Sequence, residues 1–354
     1  MEKSCAGKEN CAESMEGRGM MKEFFGRDSK GNDVTLYTVE NDHLIMKVMD
    51  YGATLVSFIN KETGIDVVEG FENMDGYLNQ TTYIGASIGR TANRIEKGIF
   101  HLNGKEYHIP VNNNGNANHG GLEGFDKKMY ETTVEGQSVV FHRVSPDGEE
   151  GYPGNLDVKI TYTLLEDGIS IVSEGSSDKD TLFAYTNHSY FNLDGSDDAM
   201  HHEVRIHSGQ YGLSDANGMT RDRFVSVANT PFDFRQFKQP EQDIHADDEQ
   251  LRFGNGYDHF YPVEGSGMRV MAECRGRKLA LTMMSDFPGF HFYTSNWLEG
   301  KTGKYGHVYP PRSAVCFEAE YCPNAINYPD VNEKPVVHAG EPMKHEIRYL
   351  LKTR

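Results

Sequence analysis

Leu156-Asp157-Val158-Lys159-Ile160-Thr161-Tyr162-Thr163-Leu164 is followed, after Leu165 and Glu166, by Asp167-Gly168 and then by Ile169-Ser170-Ile171-Val172. In the first nine residues an apolar side chain occupies every second position, with Asp, Lys and Thr between. That period of two belongs to a strand with one buried face, because successive strand side chains point to opposite sides of a sheet. A helix would turn residues two apart to opposite flanks and leave half of these side chains in water. Asp167-Gly168 accepts the positive φ of a tight hairpin, so residues 169–172 are expected to return antiparallel beside the first strand.

The same two signals recur on either side. Leu44, Met46 and Val48 alternate, Asn103-Gly104 links 100–102 to 107–109, and Arg275-Gly276 stands between 268–274 and 279–283. Strong helical periodicity is missing; at most 240–245 and the stretch around Tyr77 have room for a turn or two. The expected fold is therefore all-β, a large antiparallel β-sandwich formed as one domain over residues 20–354. Residues 1–19 are polar, small and unpatterned, and are expected to be a disordered extension.

Composition narrows the partners. The chain has 354 residues, 37% of them hydrophobic, and 53 acidic against 35 basic side chains give a formal charge of −18. Such a surface repels nucleic acid and anionic membranes. No apolar run approaches the roughly 20 residues that cross a bilayer, and the N-terminus lacks the apolar stretch of a secretory signal, so a cytoplasmic location is expected. The five cysteines form no CxxC pair, which argues against a zinc site or a disulfide scaffold. GxGxxG, P-loop and HExxH patterns are absent too, so no cofactor or metal is expected and the chemistry falls to side chains alone.

Five segments are rich in side chains that alternation does not require. Residues 89–95 carry Arg90, Asn93 and Arg94, forked and amide donors suited to vicinal hydroxyls or carboxylates, or equally to a surface salt-bridging loop. Residues 112–121 read NNNGNANHGG, a turn-rich loop that ends by placing His119 beside two glycines. In 185–193, expected to be a strand, His188 shares a face with Thr186 and Tyr190, either as a packed core histidine or as a functional one. In 256–260, Asp258 lies among aromatics, an apposition that suits a sugar, whose CH face packs on rings while its hydroxyls seek a carboxylate. In 315–321, Cys316, Glu318 and Glu320 share a face between apolar neighbours, where burial raises a carboxyl pKa toward that of a general base; a structural ion pair with Arg312 is the alternative.

Together these groups suit proton transfer on a neutral polyhydroxylated molecule. At these residues the chain resembles the aldose 1-epimerase (galactose mutarotase) family. The resemblance runs from about residue 20 onward through EFFG, DYGATLVSF, GASIGRTANRIEKGIFHLNGKEYHI, NHGGLEGFDKKMY, SPDGEEGYPGNLDVKITYTL, TNHSYFNLDG, TPFDF, GYDHFY, FYTSNWLEG and FEAEYCPNAIN, in that order. It implies a β-sandwich that interconverts the α and β anomers of a free aldose through the open-chain aldehyde. Glu318 would be the general base and His188 the general acid, with Asn93, Arg94, His119, Asp258 and His291 binding the monosaccharide. A monomer and a homodimer are both compatible with it.

The chain also departs from the family pattern. His291 stands where many relatives carry glutamine, Glu320 where they often carry glutamine, Asn118 where leucine is usual, and Met129-Tyr130 replaces a pair usually ending in tryptophan. The segment 218–223 lacks the usual Pro-Thr-Gly turn. A mutarotase for phosphorylated hexoses would want a Lys/Arg cluster at the mouth of the site, which the motifs lack. A sugar-binding protein without activity would have lost His188 or Glu318, and both are present.

Overall fold

The computed structural model describes residues 20–354; the extension expected at 1–19, with Cys5 and Cys11, lies outside the described residues. In the Leu156–Leu164 strand the five apolar side chains are buried and Asp157 and Lys159 are exposed. Its antiparallel partner is Gly168–Ser177, in register from Leu156↔Ser177 to Leu164↔Ile169. Burying each such side chain is worth about 1.5–3 kcal/mol. A slip of one residue would put Asp157 and Lys159 into the core instead, and the register is fixed accordingly.

This hairpin lies within an eight-stranded sheet. Its order is Glu131–Glu135, Ser138–Ser145, Leu156–Leu164, Gly168–Ser177, Met343–Thr353, Leu279–Ser285, Arg269–Arg275 and Glu203–Ile206, with every neighbour antiparallel. A five-stranded sheet holds Met20–Arg27, Asp33–Glu40, Leu44–Met49, Thr54–Asn60 and Ile65–Asp66. A four-stranded sheet is ordered Tyr190–Phe191, Val315–Glu320, Gly289–Tyr293 and Asp258–Pro262, again antiparallel throughout. One apolar cluster joins all three, combining Val158, Ile160 and Tyr162 with Val315, Phe317 and Ala319, and with Leu44, Met46 and Val48. The Tyr349 hydroxyl fastens the layers by donating to the Phe317 carbonyl at 2.8 Å. The sandwich expected from period two is present, and the hairpins at Asn103-Gly104 and Arg275-Gly276 form as expected.

Helix is confined to short pieces. Met74–Leu78 covers the stretch around Tyr77 and Pro240–Gln242 forms a 3-10 turn, both where expected. Glu249–Gly254 was not expected. Six residues are too few for a helical period to show, but Asp248 caps it by accepting from the Gln250 and Leu251 amides. No helix among the described residues is long and apolar enough to cross a membrane.

Candidate active site

Register places the functional side chains of the four-stranded sheet. His291 pairs with Glu318 and Phe260 with His291, while Tyr293 sits between Asp258 and Cys316. Residues level in adjacent strands share a face. Val315, Phe317, Ala319, Phe290 and Phe292 therefore point into the core, and Cys316, Glu318, Glu320, His291 and Asp258 point the other way. That second face floors a cleft of about 450 Å³ lined by Asn93, Arg94, His119, His188, Asp258, His291 and Glu318, within the usual size of small-molecule sites. The cleft thus gathers all seven residues that the family resemblance implies for the site.

Glu318 and His188 face each other across its floor, with His188 Nε2 3.5 Å from Glu318 Oε2. Both are buried, and neither Glu318 Oε2 nor His188 Nδ1 has a hydrogen-bond partner among the described residues. Burial raises the Glu318 carboxyl well above its ordinary value, and the Glu320 and Asp258 charges add to the rise. Burial also lowers the His188 imidazole to about 3, against the weaker pull of Asp258. The ring is clasped by Tyr190, stacked at 5.1 Å and 12°, and by Tyr83 at 6.1 Å and 19°.

His188 also marks a break in the strand expected over 185–193. Thr186–Asn187 pairs with Ser87–Ile88, whereas Tyr190–Phe191 pairs with Cys316 and Val315. The chain changes sheets at His188-Ser189, and the His188 amide is held by the Ala86 carbonyl at 2.9 Å. From this crossing the His188 side chain lines the cleft.

Asn93 and His119 lock together. The His119 amide donates to the Asn93 carbonyl at 3.1 Å, and the Asn93 amide donates to His119 Nδ1 at 3.2 Å. Both residues adopt positive φ, 59° and 49°, a strained backbone that persists where surrounding structure imposes it. The asparagine-rich loop closes on itself, since Asn112 Oδ1 accepts from the Asn118 amide at 2.7 Å. Burial holds the His119 imidazole well below its ordinary value, helped by the neighbouring His188 and Arg94. A neutral ring that accepts at Nδ1 carries its proton on Nε2. Arg94 is braced by Asn113 Oδ1 at 3.2 Å and the Gly218 carbonyl at 3.0 Å.

On the far wall, His291 Nε2 lies 2.7 Å from Asp258 Oδ1. Burial works to raise the Asp258 carboxyl, but the hydrogen bond and charge of His291, with Arg94, hold it below its usual value. The Asn93 side-chain amide lies 3.2 Å from His291 Nδ1 and donates to Glu320 Oε1 at 3.1 Å. Burial keeps the Glu320 carboxyl well above its ordinary value despite that hydrogen bond.

Two sequence readings are corrected here. Arg90 offers nothing to a ligand: it is buried, and its guanidinium is consumed by Ser145, Thr181 and the carbonyls of Ser145, Pro146, Pro153 and Gly154. Arg312 makes no ion pair with the strand glutamates, lying instead beside His245 and the Asn255 carbonyl. Tyr83 and Trp297 are among the cleft residues that escaped the sequence reading. Tyr83, which packs on His119 at 4.6 Å as well as on His188, stands in a polar loop with no periodicity to mark it. Trp297, the chain's one tryptophan, is 59% exposed and lines the cleft. Its rarity was the available signal.

His119, His188 and Glu318 bring donor atoms within 4.8 Å of one another, the one group of described side chains able to close on a single metal ion. Its opposed proton affinities equally suit acid–base work. A family model described as aldose 1-epimerase matches residues 35–350. The chain belongs to the aldose 1-epimerase family. It is 39% identical over 312 residues to galactose mutarotase of Homo sapiens, covering 85% of this chain and 89% of that one. With aldose 1-epimerase of Escherichia coli K12 it shares 33% identity over 311 residues, 85% of this chain and 90% of the other. The crystal structure of galactose 1-epimerase from Lactobacillus acidophilus superposes with a TM-score of 0.83 at 26% identity, covering 94% of this chain and 98% of that one. In this aldose 1-epimerase fold, then, the cleft lies on the outward face of the four-stranded sheet.

Proposed function

We propose that this chain is an aldose mutarotase that interconverts the α and β anomers of free aldohexoses such as glucose and galactose, with Glu318 and His188 as its acid–base pair. The observation that carries this reading is the approach of the two groups at 3.5 Å in a buried cleft, with proton affinities shifted in opposite directions. The Glu318 carboxylate takes the proton of the C1 hydroxyl, the bond between C1 and the ring oxygen breaks, and the His188 imidazolium protonates that oxygen. The products are the open-chain aldehyde, a protonated Glu318 and a neutral His188. Rotation about C1–C2 presents the other carbonyl face, and the same transfers in reverse close the ring as the other anomer.

The pair holds one transferable proton throughout, so the enzyme is regenerated without exchange with solvent. Burial favours the neutral arrangement in the empty cleft, and the ionised arrangement contains the same number of protons. Their balance is therefore set by the bound sugar and not by pH. Positioned transfer of this kind is typically worth about 10²–10⁴-fold per group. Asp258, His119 and Arg94 supply an acceptor, a donor and a fork for sugar hydroxyls. Arg94 is the one arginine or lysine among the described residues lining the cleft, which favours a neutral sugar over a phosphorylated one.

Polarimetry of freshly dissolved α-D-glucose and α-D-galactose tests the proposal. The protein should speed relaxation to equilibrium, and Glu318→Gln and His188→Asn should each remove at least about 99% of the gain. Retention of wild-type rates by both variants would sink it.

A further inference from the structure

Asp258 meets the cleft at the start of a strand, directly after the chain has turned out of the helix Glu249–Gly254 through Asn255 and Gly256, at φ of 53° and 135°. Side chains fix the main chain there. The Thr294 hydroxyl accepts the Tyr257 amide at 3.2 Å, and the Asn296 side chain donates to the Gly254 and Tyr257 carbonyls at 2.9 Å each. The strand Asp258–Pro262 is the outer one of the four-stranded sheet, and an outer strand leaves one row of amides without a ladder partner. The Asp258 amide donates to Nδ1 of the neighbouring His259 at 3.1 Å.

His259 faces the core while Asp258 lines the cleft. It is 0% exposed, and burial keeps its imidazole neutral, down at about 3 against the pull of the Asp258 charge. A neutral ring that accepts at Nδ1 carries its proton on Nε2. That Nε2 has no hydrogen-bond partner among the described residues, and the ring stands edge-on to Phe232 at 4.6 Å and Tyr211 at 5.9 Å. A buried donor without an acceptor is costly, and an apolar ring of similar shape would avoid that cost. Packing alone therefore favours phenylalanine at this position; what the imidazole adds is an acceptor for the Asp258 amide.

We propose that His259 is a positioning residue, which sets the place of the Asp258 carboxylate by holding the Asp258 main-chain amide against a ring wedged in the core, and which does not touch the sugar. This rests on the mutarotase reading, in which Asp258 accepts from sugar hydroxyls. The helix end presses on both residues, since a Cβ added at Gly254 would lie 3.2 Å from Asp258 Cβ and 3.4 Å from His259 Cε1. Neither can shift without the other.

Two substitutions pull packing and hydrogen bonding apart. His259→Phe keeps a ring and removes the acceptor, whereas His259→Asn keeps an acceptor near the place of Nδ1 and loses the ring. His259→Phe should raise both KM and the calorimetric Kd for galactose about 10-fold, with kcat within about 3-fold of wild type. His259→Asn should stay within about 3-fold of wild type in KM and Kd, although its melting temperature falls further. A merely structural histidine would give the reverse order, because loss of the ring leaves a cavity and loss of one acceptor does not. That reverse order, or wild-type KM and Kd in His259→Phe, would overturn the proposal. Amide hydrogen exchange is the second arm, and its wild-type measurement stands even where a variant fails to fold. The Asp258 amide should be protected in the wild type despite its outer strand, and should exchange at least about 10-fold faster in His259→Phe; an unprotected wild-type amide, or equal protection in both, would overturn it. Wild-type protein without mutarotase activity would refute the function instead, while exchange at Asp258 would still decide what His259 holds.

Discussion

The acid–base roles proposed for Glu318 and His188 rest on both groups being dry. In water the carboxyl would ionise first and the ring would titrate near neutrality, whereas burial drives their affinities past each other. A pH consequence follows for kcat/KM, which reports the free enzyme. The acid limb belongs to a second proton on the pair and falls toward the depressed value of His188, well below the 6.5 of a free imidazole. The alkaline limb belongs to loss of the pair's last proton and lies above the ordinary range of glutamate. Polarimetric rates across pH check this, and an acid limb at 6.5 would contradict it.

Glu69 is a second buried carboxyl, raised to about 8 by burial although Ser313 and Lys304 pull the other way. The folded chain keeps a proton that the unfolded chain loses near 4.5, so the associated stability is full below that pH and is lost as pH rises toward 8. The difference amounts to at most roughly 5 kcal/mol. Glu69→Gln should raise the melting temperature by several degrees at pH 8 and change it little at pH 5; equal shifts at both would refute the assignment. Neither Glu69 nor Tyr83 was legible in the sequence, because each acquires its role from neighbours remote in the chain. Glu318 was legible because two glutamates stand in an otherwise apolar strand, and the sharing of a face follows from period two alone.

Between residue and fold, two of the cleft's histidines stand where regular structure is interrupted, whereas Glu318 lies within the regular strand Val315–Glu320. His188 sits where the chain leaves one ladder for another, and His119 ends a loop hooked onto Asn93. The 185–193 stretch reads as one strand because alternation continues through the crossing; only the pairing partners reveal the change. The loop after His119 depends on Gly120, where φ is 90° and an added Cβ would lie 2.0 Å from the Gly89 carbonyl oxygen. Gly120→Ala must displace either the loop or residue 89. It should lower kcat/KM about 100-fold, the scale of a misplacement near 1 Å, with a folded protein by circular dichroism. Unchanged kcat/KM would mean that this loop does not position His119.

At the scale of the whole molecule, the alternation in Leu156–Leu164 foretold the sandwich because strand period and burial are local consequences of one geometry. The order of strands in the sheets was not legible, since pairing joins segments as distant as Leu279–Ser285 and Met343–Thr353. The charge of −18 has a functional corollary. A neutral hexose is neither steered nor repelled by the long-range field, so kcat/KM should vary less than about 2-fold between low and high salt. A strong salt dependence would point to a charged substrate.

Trp297 gives the molecule a further property. A lone indole, open to water at the mouth of the cleft, emits against a background of tyrosines and will change its quantum yield when a sugar displaces that water. The protein therefore carries an intrinsic optical reporter of occupancy. Through it, hexose binding becomes measurable in variants of Glu318 or His188 too slow to follow by rotation of polarised light.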